Sequence, residues 1–383
     1  MRKVYAVLMI VLTTCILLPG CGGEPECPLN SVSLARFEFR DSKTHAAVQL
    51  TNGATVTGIA LVDGKLNVDT VFNLAQNYMS VPLSYTDRTT YVIHYTETMR
   101  DTIELTHRNI PFVSDIECPT MMFYEVESMR YTTNALDSVK LVNPQITNEE
   151  RINFKYIIAL LVLSSLWGMP TRLQAQELKN ITEKLEAEKP VLFQGMYVGL
   201  DVFGFLNQAL GSDTKTAEVS VEANLLNRFF PVVELGVGSM DTTDDETDIH
   251  FKTSAPFFRI GANYNVFYKK PHLPGYFTVG LRYGFSSFDY DVKAPALVDP
   301  NWGHTEVPID YTGVKTNVGW LELVLGLKTN VYKNFYMGFT VRYRSRLSMT
   351  KNENSEPYYI PGYGRGKSNN YGITYNLVYK LPF

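Results

Sequence analysis

The stretch NNYGITYNLVYKLPF, at the end of the chain, sets an apolar or aromatic side chain at every second position: Tyr371, Ile373, Tyr375, Leu377, Tyr379, Leu381 and Phe383. Gly372, Thr374, Asn376, Val378 and Lys380 fill the places between. A period of two belongs to a strand with one oily face. Segments 196–202, 217–225, 233–238, 258–266, 277–285, 321–328 and 335–346 repeat the pattern, so eight strands each carry an apolar face in need of cover. Two solutions exist. In a soluble sandwich the apolar faces pack on each other, whereas in a membrane barrel they meet lipid and the polar faces line the lumen.

The connections favour the barrel. Short linkers at 227–231, 269–275 and 332–334 alternate with long polar ones at 207–216, 239–256, 287–317 and 347–369. Outer-membrane barrels have short periplasmic turns and long outer loops in the same way. Tyr268, Tyr276, Phe288, Tyr332 and Phe335 stand near strand ends, where aromatic girdles form. An even strand number brings both ends of the barrel to the periplasmic side. A mean hydropathy of -0.10 argues against a bundle of membrane helices but not against strands that average apolar with polar. The expected lumen charges are Asp201, Glu218, Glu222, Glu234, Arg259, Arg282, Glu322, Lys328, Arg342, Arg344 and Arg346.

The ending, with Gly372, Tyr375, Leu377 and terminal Phe383, resembles the signal read by the outer-membrane barrel-assembly machinery. Segment 191–383 is similar to the small eight-stranded outer-membrane barrels of the OmpA and OmpX class. That resemblance implies outer-membrane lipid and the assembly machinery as partners. Pairing the last strand with the first would satisfy backbone groups that lipid cannot.

At the other end, MRKVYAVLMIVLTTCILLPGC has a basic start, an apolar run and Leu18-Pro19-Gly20-Cys21, the layout of a secretory signal over 1–21. The ending resembles a bacterial lipobox, which implies lipidation of Cys21. Cys27 and Cys118 would remain as thiols of an exported chain and suggest one disulfide. Residues 22–150 carry short β-type runs at 32–39, 46–50, 56–62, 65–72, 91–95, 102–107 and 121–129, the spacing of an antiparallel sandwich. Asp63-Gly64 is a hairpin signal between two of them. The lipobox, Cys27, Cys118 with Phe123, and the Thr133–Val139 segment resemble a small lipoprotein family of Bacteroidota, a likeness that implies no activity.

A second signal-like stretch follows at 151–176. Arg151 and Lys155 precede an apolar core from Tyr156 to Trp167, then Gly168 and Pro170, and Leu173-Gln174-Ala175 ahead of Gln176 reads as a cleavage site. The core is too short for a spanning helix, which needs about 20 residues. An export signal belongs at a beginning, so the simplest reading is two exported proteins joined in one frame. Residues 177–190 are a polar lead-in to the barrel.

The expected fold is therefore all-β: an N-terminal antiparallel β-sandwich and a C-terminal antiparallel eight-stranded transmembrane β-barrel in the outer membrane. No catalytic constellation, metal motif or cofactor fingerprint is present. His45, His94 and His107 fall on polar strand faces or near strand ends, and His250, His272 and His304 lie in connections without a serine motif. The net charge of -4 gives no case for nucleic acid. The acidic run 241–248 is either a solvated loop or a site for a divalent cation. A non-enzymatic structural or surface-binding protein is expected, its lumen charges forming a salt-bridge plug. The alternatives are a narrow ion path lined by those charges and a lipid-modifying enzyme.

Overall fold

The computed structural model describes residues 27–158 and 192–382, apart from residues 43, 49–53, 63–64, 74–77, 97, 205–206, 208–210, 270–272 and 304. Cys21, His272, His304, Phe383 and most of the internal signal-like stretch lie outside the described residues.

The N-terminal half is built from β1 (Leu34–Asp41), β2 (Thr55–Val62), β3 (Lys65–Asn73), β4 (Tyr78–Pro82), β5 (Arg88–His94), β6 (Arg100–Phe112), β7 (Met121–Tyr131), β8 (Leu136–Leu141), β9 (Gln145–Ile146) and β10 (Phe154–Ile158). They form a four-stranded sheet, β4-β1-β10-β8, and a six-stranded sheet, β3-β2-β5-β6-β7-β9. Alternate residues of β1, β5, β6 and β10 point inward: Phe37, Phe39, Tyr91, Ile93, Ile103, Leu105, Phe154 and Tyr156 share one buried core. The rings of Phe37, Phe154 and Tyr156 stack. A disulfide joins Cys27 to Cys118.

Phe154–Ile158 corrects the boundary at 151. The stretch reads as the start of a helix, yet it is a central strand, parallel to β1 and antiparallel to β8. The reason is its own alternation, Phe154 and Tyr156 inward with Lys155 between them, in a β-branched and aromatic segment. His107 is the other correction. It sits in the core rather than on a polar face, held by Thr89 at Nε2 and Asn109 at Nδ1, both at 2.9 Å. Burial drives its pKa down to about 4.

The C-terminal half is a closed antiparallel barrel of eight strands, in order β11 (Phe193–Asp201), β12 (Thr214–Leu225), β13 (Phe229–Thr243), β14 (His250–Asn265), β15 (Gly275–Val298), β16 (Glu306–Tyr332), β17 (Phe335–Met349) and β20 (Asn369–Lys380). Two short strands, β18 (Tyr359–Ile360) and β19 (Gly364–Arg365), form a small hairpin in the connection before β20. The barrel closes where β20 pairs with β11, from Tyr197 opposite Lys380 to Asp201 opposite Asn376.

Much of what reads as loop is strand. β15 and β16 run for 24 and 27 residues and pair as far as Val298 opposite Glu306. Their outer parts keep the alternation but reverse it. Along β15, Phe277, Val279, Leu281, Tyr283 and Phe285 face out, with Arg282 buried between them. From Ser287 upward the outward places hold Ser287, Asp289 and Lys293, while Phe288, Tyr290 and Val292 are buried. Neighbouring strands reverse at the same level. β14 goes from outward Ile260 and Phe258 to outward Lys252, and β16 from outward Leu321 to outward Asn317 and Lys315. The register ties these heights together, with Phe258 opposite Phe285 and Ser287 opposite Asn317.

Candidate functional site

Around the lower barrel, acidic and basic residues share the inward face of successive strands. β12 carries Glu218 and Glu222, β13 Glu234, β14 Arg259, β15 Arg282, β16 Glu322 and Lys328, and β17 Arg342 and Arg344. Glu234 stands directly across from Arg259, Arg282 from Glu322, and Glu322 from Arg344. An eight-stranded barrel is just wide enough for its own side chains to meet in the middle. They do: Arg342 reaches Glu234 at 2.7 Å, Glu218 at 3.2 Å and Glu322 at 3.3 Å. Arg259 reaches Glu218 at 2.6 Å, Glu322 at 2.9 Å and Glu234 at 3.0 Å, and Arg282 lies 2.8 Å from Glu234. Arg344 lies 3.2 Å from Glu322, and Lys328 pairs with Glu222. Glu322 has no solvent exposure and Arg342 only 1%. Charges so far from water persist only when multiply paired.

Two apolar tiers bracket this ionic layer. On the short-turn side, Tyr197, Phe230 and Val378 are buried with Tyr276 and Tyr336 against them, and the Tyr197 and Tyr276 hydroxyls lie 3.0 Å apart. On the other side, the connection between β17 and β20 turns inward. Its Ile360 and Tyr363 are fully buried beside Trp320. Gly362 and Tyr363 offer their carbonyls to Arg259 at 2.5 Å and Arg344 at 2.7 Å. Gly362 has φ +79°, and a Cβ there would stand 2.4 Å from the Phe257 ring, so only glycine fits under the fold of the loop. A cavity of about 40 Å³ lies between the ionic layer and the tyrosines, room for a water or two but not a channel.

The sequence-predicted lumen residues come together with two differences. Asp201 is buried and accepts the Phe203 amide at 3.0 Å, with no arginine paired to it among the described residues. Arg346 is bound to the Gly366 carbonyl at 2.6 Å rather than to a carboxylate. Of the expected assembly signal, Tyr375 and Leu377 lie in β20 opposite Phe339 and Met337, and Gly372 leaves space where a Cβ would meet the Arg344 guanidinium at 2.7 Å. Phe383 is outside the described residues. The acidic run does not converge. Asp241 pairs with Lys252 at 2.9 Å, and Asp244 caps its own turn by accepting the Thr247 and Glu246 amides. Among the described residues no three His, Cys, Asp or Glu side chains are arranged to hold a metal. His250 lies 2.9 Å from Thr243 and 3.6 Å from Asp241.

What sequence reasoning missed is the crown. The sandwich sits on the end of the barrel that carries the long connections. Asp299, at the tip of the β15–β16 hairpin, accepts the Tyr85 amide at 2.7 Å and the Ser84 hydroxyl at 3.3 Å. Glu117 accepts from the Tyr358 hydroxyl at 2.8 Å and pairs with Arg365 at 2.8 Å. Val113 exchanges backbone hydrogen bonds with Asn354 and Glu356, both 3.0 Å. Tyr311 and Asn354 donate to the Pro111 carbonyl, Thr247 donates to the Ile116 carbonyl, and Arg108 pairs with Glu353. Beneath these bonds, Val113 and Ile116 of the sandwich enter the core of the barrel's upper part, beside Phe251, Tyr290, Ile309 and Tyr358. Segment 113–117 offered only a short mixed stretch between two strands, whose partner lies over a hundred residues away.

No curated protein and no solved structure matches this chain. Residues 54–158, most of the sandwich, match a family described as of unknown function (DUF6452). Residues 153–383, which include the whole barrel and are more than half of the chain, match a second one, a domain of unknown function (DUF6048). The two matches overlap only around β10, which gives a two-part architecture, and the chain belongs to the DUF6048 family.

Proposed function

We propose that the chain is a non-enzymatic outer-membrane β-barrel with a sealed lumen, whose outward end carries the sandwich as a surface-presented module. The observation that carries this is the reversal of polarity at one height on neighbouring strands. Below it, outward Leu235, Ile260, Leu281 and Leu323 are exposed without cover, Leu235 by 58% and Leu281 by 54%, and the charges are inside. Above it, charges face out and the apolar side chains are inside. A strand changes in this way where its surroundings change from hydrocarbon to water. The resemblance of 1–21 to a secretory signal with a lipobox, and the alternating C-terminal strand, support the same reading.

The three-tier filling of the lumen favours the plug over an ion path. Fractionation of expressing cells tests the location, with heat-modifiable migration of the outer-membrane fraction as the sign of a folded barrel. Purified protein in planar bilayers tests the seal: no steady conductance is expected. A stable single-channel current from the wild type would replace the plug with a pore. The lipid-modifying reading has no site that supports it among the described residues, and unchanged lipid A acylation on deletion of the gene is the expected result.

A further inference from the structure

The sandwich and the entrance to the barrel lie at opposite ends of it. Sandwich contacts fall at Thr247, Asp299, Tyr311, 353–358 and Arg365, all on the long-connection end. The barrel begins beside the short turns, where the Leu226 amide donates to the Leu192 carbonyl and the Leu381 amide to the Met196 carbonyl. On the reading proposed above, an uncut chain must therefore cross the hydrocarbon once more between Ile158 and Leu192. The sequence does not supply a crossing. With Phe154–Ile158 committed to the sandwich sheet, the apolar run left is Ala159 to Trp167, followed by Gly168, Pro170, Arg172 and the charged 177–189 stretch. These nine residues, two of them serines, would make at most about 14 Å of helix, against about 30 Å of hydrocarbon. A crossing strand would need a sheet edge, and the barrel is closed. The ionic layer blocks the lumen.

We propose that the mature molecule is two polypeptides, cut between Ala175 and Gln176, with the outer crown of the barrel as the docking site for the separate, lipid-anchored sandwich. The cut is a hydrolysis: water adds across the peptide bond, leaving a carboxylate on Ala175 and an amine on Gln176. Docking needs no linker. The hydrogen bonds named across the crown number about as many as a specific protein–protein interface carries, about ten. They surround the buried Val113 and Ile116, and the carboxylate of Asp299 is buried with donors from both halves.

The test is to express the full-length gene in a Gram-negative host, solubilise the outer membrane in mild detergent and purify through a tag on a barrel turn. Denaturing gels, Edman sequencing and antibodies to each half then read the product. Two co-purifying bands are expected, the barrel band beginning at Gln176. A single heat-modifiable 43.4 kDa band in the outer membrane would overturn the cut while leaving the barrel reading intact. Absence of any heat-modifiable barrel would overturn the barrel reading itself, and this inference with it. The double variant Glu117→Arg with Asp299→Ala should lower the co-purified sandwich at least tenfold while the barrel band stays heat-modifiable. Undiminished co-purification would overturn the docking site.

Discussion

At the scale of the residue, Glu234 and His107 show how differently a buried ionisable side chain is kept. Glu234 is paired with Arg259, Arg282 and Arg342 at once. Removing one member of such a group leaves its partners as uncompensated buried charge, at a cost of about 3–5 kcal/mol. Glu234→Gln should destabilise the barrel by that amount in urea unfolding from lipid vesicles; a loss under about 1 kcal/mol would show that the charges are hydrated rather than sealed. His107 is instead kept neutral, with a folded pKa of about 4. The unfolded chain, with a pKa of about 6.5, binds the proton first as pH falls, so the sandwich loses stability from about pH 6.5 down to about 4. The full effect is about 3 kcal/mol. His107→Gln should flatten that slope in thermal melts taken across this range, and an unchanged slope would point to other groups. Asp101 has the opposite charge and the same acid sensitivity. Burial raises its pKa, but hydrogen bonds from Asn134, Thr132, Ala135 and Leu136 outweigh this and hold it below the usual carboxylate range, so its stabilisation is lost as pH falls through that lowered value.

At the scale of the element, the alternating strands were legible in sequence and their ends were not. The apolar faces of 277–285 and 321–328 stand out because every outward residue is oily. Beyond Phe285 the period of two persists through Phe288, Tyr290 and Val292, but it changes face, and a reversed pattern reads as loop when only one polarity is sought. The short β4 and β8 give no strand signal for a related reason, since five or six residues show too few alternations to separate from a turn. The inward fold of 349–369 had no local signal at all. It depends on guanidinium groups of β14 and β17 finding carbonyls in the loop. Gly362→Ala should free this element, since φ +79° strains any side chain and the Phe257 ring blocks it, at a cost of about 1–3 kcal/mol. Faster amide exchange over 350–368 with an unchanged barrel is the expected outcome; protection equal to wild type would mean that the loop does not rest on this turn.

At the scale of the whole molecule, a sandwich of two open sheets and a closed barrel meet through a crown that only the folded structure brings together. The Cys27–Cys118 disulfide closes a separation of 91 residues within the sandwich and should contribute about 4–5 kcal/mol by restricting the unfolded chain. Replacing both cysteines by serine should lower the melting temperature of the sandwich and leave the barrel's heat-modifiability unaffected. If the barrel were lost as well, the two halves would be one folding unit. The central claim concerns what touches the oily belt. Spin labels placed singly at Leu235, Leu281 and Leu323, and at Asp289 and Lys315 above the reversal, can be read in lipid vesicles by collision with oxygen and with a water-soluble nickel complex. The expected result is high oxygen and low nickel access at the first three and the reverse at the other two; nickel access equal at all five positions would contradict a hydrocarbon boundary at that height.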